Sequence, residues 1–142
     1  MFTVEPLVES DINDMYQAVH DSRDHLEELD WLRHTDAEQF VQHYKAILAM
    51  SALDIFAIRV DGQFAGAVEL QDHGDHMILG YWLGLRYRGQ GIATQAVGQV
   101  LGQYHKTIRA DTPRSNPASS AVLERLDFVF DYSDEEKNYY SR

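Results

Sequence analysis

The segment Arg88-Gly89-Gln90-Gly91-Ile92-Ala93 carries the clearest chemistry in this chain. It falls between an apolar run ending Gly80-Tyr81-Trp82-Leu83 and a stretch, from about Ile92, whose apolar residues Ala93, Ala96, Val97, Val100, Leu101 and Tyr104 recur at helical spacing. Residues without Cβ let several backbone N–H groups converge on one anion, and a helix that begins there adds the positive end of its dipole. The charge distribution points the same way. The 142 residues include 23 acidic and 12 basic ones, a formal net charge of −11. From His76 to Ala110 there is no Asp or Glu, where a uniform spread would place about six. Arg86, Arg88, Lys106 and Arg109 occupy that window instead. A private anion site in an acidic protein explains both features, and so does a plain strand-to-helix turn flanked by buried elements. No Gly-Lys-Ser/Thr follows, so the loop is not a P-loop. Asp111 stands at about the distance that a dinucleotide-binding fingerprint requires, but Thr94 replaces its third glycine, which leaves a Rossmann-like protein as a distant alternative.

Other constellations are weaker. His73-Gly74-Asp75-His76 with Asp72 puts several metal donors in a row, yet a site would need a further ligand from elsewhere and a polar loop explains the composition; no metal is expected. The remaining histidines, His20, His25, His34, His43 and His105, read as surface residues. The chain has no cysteine, which excludes disulfides, a thiolate nucleophile and thiolate-bound metal. No Gly-x-Ser-x-Gly surrounds Ser119 or Ser120, so neither is an esterase nucleophile. With three lysines, Lys45, Lys106 and Lys137, and a strongly negative balance, the chain is a poor binder of nucleic-acid phosphates. No apolar stretch approaches the roughly 20 residues that cross a bilayer, and Met1-Phe2-Thr3-Val4-Glu5 does not open a signal peptide; a cytoplasmic protein without membrane partners is expected.

The elements that must position the loop follow from periodicity. With 44% hydrophobic and 25% charged residues and no linker-like tract, residues 1–142 form one globular domain. Thr3 to Val8 reads as a first strand that Pro6 marks as an edge. Ser10-Asp11 caps a helix carrying Ile12, Met15, Tyr16 and Val19, and Thr35 with Glu38 forms a capping box for a second helix with Phe40, Val41, Tyr44, Ile47 and Leu48 on one face. Asp54 to Val60, the turn Asp61-Gly62, Gln63 to Leu70 and Met77 to Leu83 make an antiparallel meander. After the glycine loop and its helix come a strand Thr107 to Thr112, a helix Asn116 to Leu126, a strand Phe128 to Tyr132 and a short strand at Tyr139-Tyr140. The order predicts a mixed α+β and α/β fold: a mostly antiparallel sheet with helices on both faces.

The strand ending Gly80-Tyr81-Trp82-Leu83 with Arg88-Gly89-Gln90-Gly91-Ile92-Ala93 resembles the acetyl-CoA signature Gln/Arg-x-x-Gly-x-Gly/Ala of the GNAT N-acetyltransferases. Asn116-Pro117-Ala118-Ser119, Val122 to Leu126 and Phe128, together with Arg23-Asp24-His25-Leu26 to Trp31, are similar to the branch that acetylates ribosomal-protein N-termini. Two positions depart from that pattern. Asp127 stands where relatives usually have Gly, and Leu85 where some have an acidic residue proposed as base. The C-terminus is also short, which implies a reduced closing hairpin.

The resemblance implies a GNAT-like domain whose fourth and fifth strands splay apart around acetyl-CoA, the cosubstrate. Trp82 and Leu83 would line its arm, the N–H groups of Arg88, Gly89, Gln90, Gly91, Ile92, Ala93 and Thr94 would hold its pyrophosphate, and Asn116 would bond the pantetheine. Ser119 matches a hydroxyl that faces the departing thiolate. Helix capping is the competing role for both Asn116 and Ser119. The acceptor would be a primary amine, either a protein N-terminus or a small cationic amine, attacking directly. Because Leu85 cannot accept its proton, Glu69 on the neighbouring strand is the best remaining base; an exposed strand residue is the alternative. Eleven of the 23 acids lie in residues 1 to 38, in keeping with a cationic acceptor or with a solvated face. A non-catalytic acyl-CoA-binding module would keep the same loop, and the sequence does not choose between a monomer and a homodimer.

Overall fold

The computed structural model describes residues 1–22 and 35–142. Along these, β1 (Phe2–Pro6), α1 (Ile12–Ser22), α2 (Ala37–Leu48), β2 (Leu53–Val60), β3 (Gln63–Asp72), β4 (His76–Leu83), α3 (Ile92–Leu101), β5 (Thr107–Pro113), α4 (Pro117–Arg125), β6 (Val129–Ser133) and β7 (Lys137–Ser141) follow one another. The expected substrate-side segment, Arg23 to Trp31, lies outside the described residues, as do His25 and His34.

The strands form one seven-stranded sheet in the order β1-β2-β3-β4-β5-β7-β6. The meander β1 to β4 is antiparallel throughout. Pro6 does lie on an edge strand, where its missing N–H interrupts no ladder. The β2–β3 turn, Asp61-Gly62, has both residues at positive φ, 49° and 84°, the backbone that matches the twist of a two-residue hairpin. Opposite the Ile58–Arg59 step the register slips, so Ala65 is an extra residue on β3. The next residue, Gly66, comes so close to β4 that a Cβ there would run into the carbonyl oxygen of Trp82.

Alternation sends successive side chains to opposite faces, and each face has its own core. Val68, Leu70, Met77 and Leu79 pack with Val97, Val100 and Leu123 beneath α3 and α4. Ile55, Ala67 and Trp82 pack with Ile12, Met15, Phe40 and Tyr44 beneath α1 and α2. Arg59 ties the start of α1 to the sheet, bonding Asp11 at 2.8 Å and Asp14 at 3.1 Å. The expected stripe on α3 is correct in outline: Ile92, Ala96, Val97, Val100 and Leu101 are buried.

Three details differ from the sequence expectation. The cap of α2 is Asp36, whose carboxylate accepts from the Gln39 N–H at 2.8 Å while Gln39 reaches back to the Asp36 N–H at 3.2 Å. Thr35-x-x-Glu38 and Asp36-x-x-Gln39 overlap, and the extended backbone at Asp36 selects the second. The C-terminal hairpin is not reduced to a fringe: β7 inserts between β5 and β6 with five residue pairs to β5. Asp127 closes α4 in the left-handed region at φ 68°. The Phe128 N–H reaches the Leu123 carbonyl and the Asp127 N–H that of Glu124, a Schellman closure that ordinarily takes glycine at this position.

Candidate active site

β4 and β5 run parallel and pair over only three positions, His76 with Thr107, Met77 with Ile108 and Ile78 with Arg109. Beyond them β4 continues to Leu83 and β5 to Pro113 without pairing to each other. The expected splay is therefore present. Because the strands part, β4 beyond Ile78 has no ladder partner in β5. The Gly84 N–H donates to the Ala65 carbonyl on the β3 side at 2.7 Å, and the Leu83 carbonyl on the other side accepts from Arg88 Nε at 3.1 Å. Polar groups of successive strand residues alternate in direction, so the N–H groups of Tyr81 and Leu83 face the gap while those of Trp82 face β3.

A cleft of about 440 Å³ opens where the strands diverge. Trp82, Leu83, Arg88, Gly89, Gly91, Ile92, Ala93, Thr94, Asn116 and Ser119 all line it. Of the residues expected at the cofactor, Gln90 alone does not: its amide donates to the Arg86 carbonyl at 3.2 Å and braces the loop from outside. Among the described residues no Asp or Glu lines the cleft, whereas Arg88 and Arg125 do. Gly89 and Gly91 adopt φ of 75° and 76°, the left-handed conformation that favours glycine. Gly91 is the N-cap of α3 and no side chain caps the helix. The first bond into α3 runs from the Gln95 N–H to the Gly91 carbonyl, so the N–H groups of Ile92, Ala93 and Thr94 lie ahead of the ladder, at the positive end of the dipole. A glycine-lined, acid-free helix start of this kind fits a pyrophosphate.

The start of α4 separates the competing roles of Asn116 and Ser119. Asn116 is the cap, its Oδ1 accepting from the Ser119 N–H at 3.2 Å. The Ser119 side chain does not cap: its Oγ lies 2.9 Å from the Tyr81 hydroxyl. Beside it, Thr112 Oγ1 and Ser120 Oγ are 3.0 Å apart, which satisfies the buried Thr112.

A second cavity, of about 240 Å³, adjoins the first, and Tyr81, Trp82, Asn116 and Ser119 line both. Glu69 and Asp111 line the second only. Glu69 is therefore not the exposed strand residue that was its alternative; burial holds its carboxyl above the ordinary carboxylate value. Tyr44 of α2 is near enough to feel that charge, which adds to burial in pushing its phenol above the ordinary value. The indole of Trp82 is buried against Phe64, with ring centres 6.1 Å apart, so Trp82 meets the cavities at the edge of the α1/α2 core. Leu85 is about half exposed on the 3-10 turn Leu85–Tyr87, and its N–H donates to Ser22 Oγ at the end of α1, 3.3 Å away.

Sequence reasoning did not assign Tyr81, Val122 or Arg125 to the site. The last two follow Ala118 and Ala121 along one face of α4, and that helical spacing was the available signal. His73 and His76 stack at 5.3 Å, with His76 Nδ1 2.6 Å from Asp75. Among the described residues no group of three or more His, Cys, Asp or Glu is placed to hold a metal, and no helix is long and apolar enough to cross a membrane.

A family model described as "Acetyltransferase (GNAT) domain" matches residues 2–129. No curated protein matches the sequence. Among solved structures, a ribosomal L7/L12 alpha-N-protein acetyltransferase in complex with coenzyme A superposes with a TM-score of 0.89 at 22% identity, over 99% of this chain and 93% of that one. The ribosomal-protein-S5-alanine acetyltransferase of Vibrio fischeri does so at 0.84 and 20% identity, over 99% and 92%. A spermidine N-acetyltransferase chimera from Vibrio cholerae and hSSAT gives 0.80 at 14% identity, over 99% and 93%. At these identities the likeness is one of fold.

Proposed function

The chain belongs to the acetyltransferase (GNAT) domain family, and from that premise we propose that it moves the acetyl group of acetyl-CoA to a primary amine by direct attack. The observation that carries this reading is the cleft beside the parted strands, lined among the described residues by Arg88 and Arg125 and by no acid in a protein of net charge −11, which adjoins a cavity holding the half-buried carboxylate of Glu69. Acetyl-CoA would supply an acyl carbon activated by a thiolate leaving group. The backbone from Arg88 to Thr94 would hold the pyrophosphate. Asn116, with Oδ1 spent on its cap, would use its amide N–H groups on the pantetheine arm.

Each remaining residue has a proton or a charge to manage. The acceptor arrives as an ammonium ion and must lose a proton before its nitrogen pair can attack. Glu69, whose carboxyl burial raises in proton affinity, takes it directly or through a water. As the nitrogen–carbon bond forms, negative charge grows on the acetyl oxygen, and the gap-facing N–H groups of β4 are preorganised to receive it. The carbon–sulfur bond then breaks with its electron pair on sulfur, Ser119 gives its proton to that sulfur, and the second proton that the nitrogen sheds as the amide forms restores the serine hydroxyl through solvent. Glu69 leaves a carboxylate on the acceptor side, where Asp111 is already paired with Lys137 Nζ at 3.0 Å, and this suits a protein N-terminus or a small cationic amine.

Thiol release from acetyl-CoA, followed across peptides with free N-termini, polyamines and aminoglycoside-like amines, tests the proposal. Amine-dependent release with disappearance of the primary amine is expected. Acetyl-CoA binding without release on any amine would favour a non-catalytic acyl-CoA module. Selective binding of a nicotinamide dinucleotide would overturn the reading.

A further inference from the structure

Tyr81 and Ser119 are 38 positions apart in sequence, and their hydroxyls meet at 2.9 Å beside the parted strands. The phenol also lies 3.3 Å from the Ser119 backbone carbonyl, which competes for its single proton at a longer distance than the 2.9 Å to Oγ. A hydroxyl has one proton to give and two lone pairs to receive with. When the Tyr81 phenol donates to Ser119 Oγ, the serine proton must point elsewhere, and Ser119 lines both cavities. The phenol is itself well anchored. Its ring packs against the core beneath α3 and α4, while the next residue, Trp82, is buried in the core on the opposite face. Strand rotation at this point is thus fixed from both sides.

We propose that Tyr81 is a positioning residue for Ser119, donating to Ser119 Oγ and thereby turning the serine proton toward the sulfur of bound coenzyme A. The proposal rests on the acetyl-CoA reading above and extends it. A serine side chain otherwise samples three staggered wells. Selecting one of them in advance removes a reorientation at the moment the carbon–sulfur bond breaks, which is where a preorganised donor lowers a barrier. Tyr81 acts through Ser119 and need not touch sulfur.

The test reads the sulfur and requires no acceptor. Coenzyme A bound to the protein is titrated by the ultraviolet absorption of its thiolate, in the wild type, Tyr81→Phe, Ser119→Ala and the double variant, with affinity for coenzyme A measured alongside. A donor aimed at sulfur stabilises the thiolate, so the wild type ionises the thiol at the lowest pH. Tyr81→Phe keeps the ring and loses the hydrogen bond; half-ionisation should rise by about one pH unit, with affinity nearly unchanged. Ser119→Ala should do the same, and the double variant should rise no further than the larger single effect, since the two residues act as one. A merely structural role for the phenol, through the Ser119 carbonyl, would persist in the Ser119→Ala background. A thiol that titrates alike in wild type and Tyr81→Phe, or fully additive effects, would overturn the proposal and leave the acetyl-CoA reading standing. Failure of the wild type to bind coenzyme A would overturn both.

Discussion

Glu69 on β3 and Ser119 on α4 line one cavity of about 240 Å³ although they come from different layers of the molecule. The parting of β4 from β5 is what brings them together. On the proposed mechanism the group that would remove a proton from the amine and the group that would give one to sulfur stand at the two ends of the same bond exchange.

Removing the first should show in a pH profile. Glu69→Gln is expected to lower the acetylation rate by about a hundredfold near neutral pH, where the amine is protonated. Raising the pH deprotonates the amine in solution, so the variant should recover toward the wild-type rate. Rates measured from neutral to alkaline pH check this; a deficit that does not change with pH would assign Glu69 to structure or acceptor contact.

The same variant should be the more stable protein. Burial raises the folded-state proton affinity of Glu69 above that of the unfolded chain. Below the unfolded pKa both states are protonated and nothing is lost; as pH rises through the folded pKa the buried charge destabilises the native state. Thermal melts should therefore place Glu69→Gln above the wild type at neutral pH, and the difference should vanish below the ordinary carboxylate range.

At the start of α4 two substitutions should separate cleanly. Asn116→Ala removes the cap and should cost about 1 kcal/mol of stability. Ser119→Ala leaves that cap intact, because the cap uses the Ser119 N–H. It should melt close to the wild type while lowering kcat more than affinity for acetyl-CoA. Calorimetry and steady-state kinetics on both variants decide the point.

Gly91 offers a binding test. A Cβ at this position would meet only the Gln95 amide, at 3.7 Å, so the protein interior does not demand glycine for space. The left-handed φ of 76° does favour it, and Gly91→Val should cost about 1–2 kcal/mol of stability. Its branched side chain would stand in the path of the pyrophosphate and should abolish acetyl-CoA binding in calorimetry while circular dichroism shows the fold retained.

Asp127 predicts a gain. Holding a residue with a Cβ at φ 68° in the closure of α4 is unfavourable, and Asp127→Gly should raise stability by about 0.5–1 kcal/mol in chemical denaturation. Turnover should not change, since Asp127 lines neither cavity of the site.

Local signals in the sequence were enough to place every strand and helix of the described chain to within a few residues, because periodicity, caps and turn chemistry are local. The loop Arg88 to Ala93 was legible for the same reason: glycine spacing and absent acids are linear features. The partial burial of Glu69 was not, since its neighbours Val68 and Leu70 face the other core and its surroundings, Tyr44 of α2 among them, come from distant parts of the chain. The Tyr81–Ser119 contact bridges 38 positions, and no pattern along the chain announces it. The side-chain bond of Gln90 to the Arg86 carbonyl was not legible either, since it depends on how the loop folds back.

The place of β7 bears on how the protein is made. The last strand in the sequence is an inner strand of the sheet, and the Arg142 backbone extends its pairing by exchanging bonds of 2.9 and 2.8 Å with Ile108. A growing chain that has completed β5 holds it on one side by only three residue pairs to β4, with its other edge open. β5 gives Ala110, Asp111 and Pro113 to the second cavity, so one wall of that cavity is set only when residues 137–142 have emerged. Activity should appear only once those residues are available to pair, and a chain stalled before them would expose a strand edge in place of that wall.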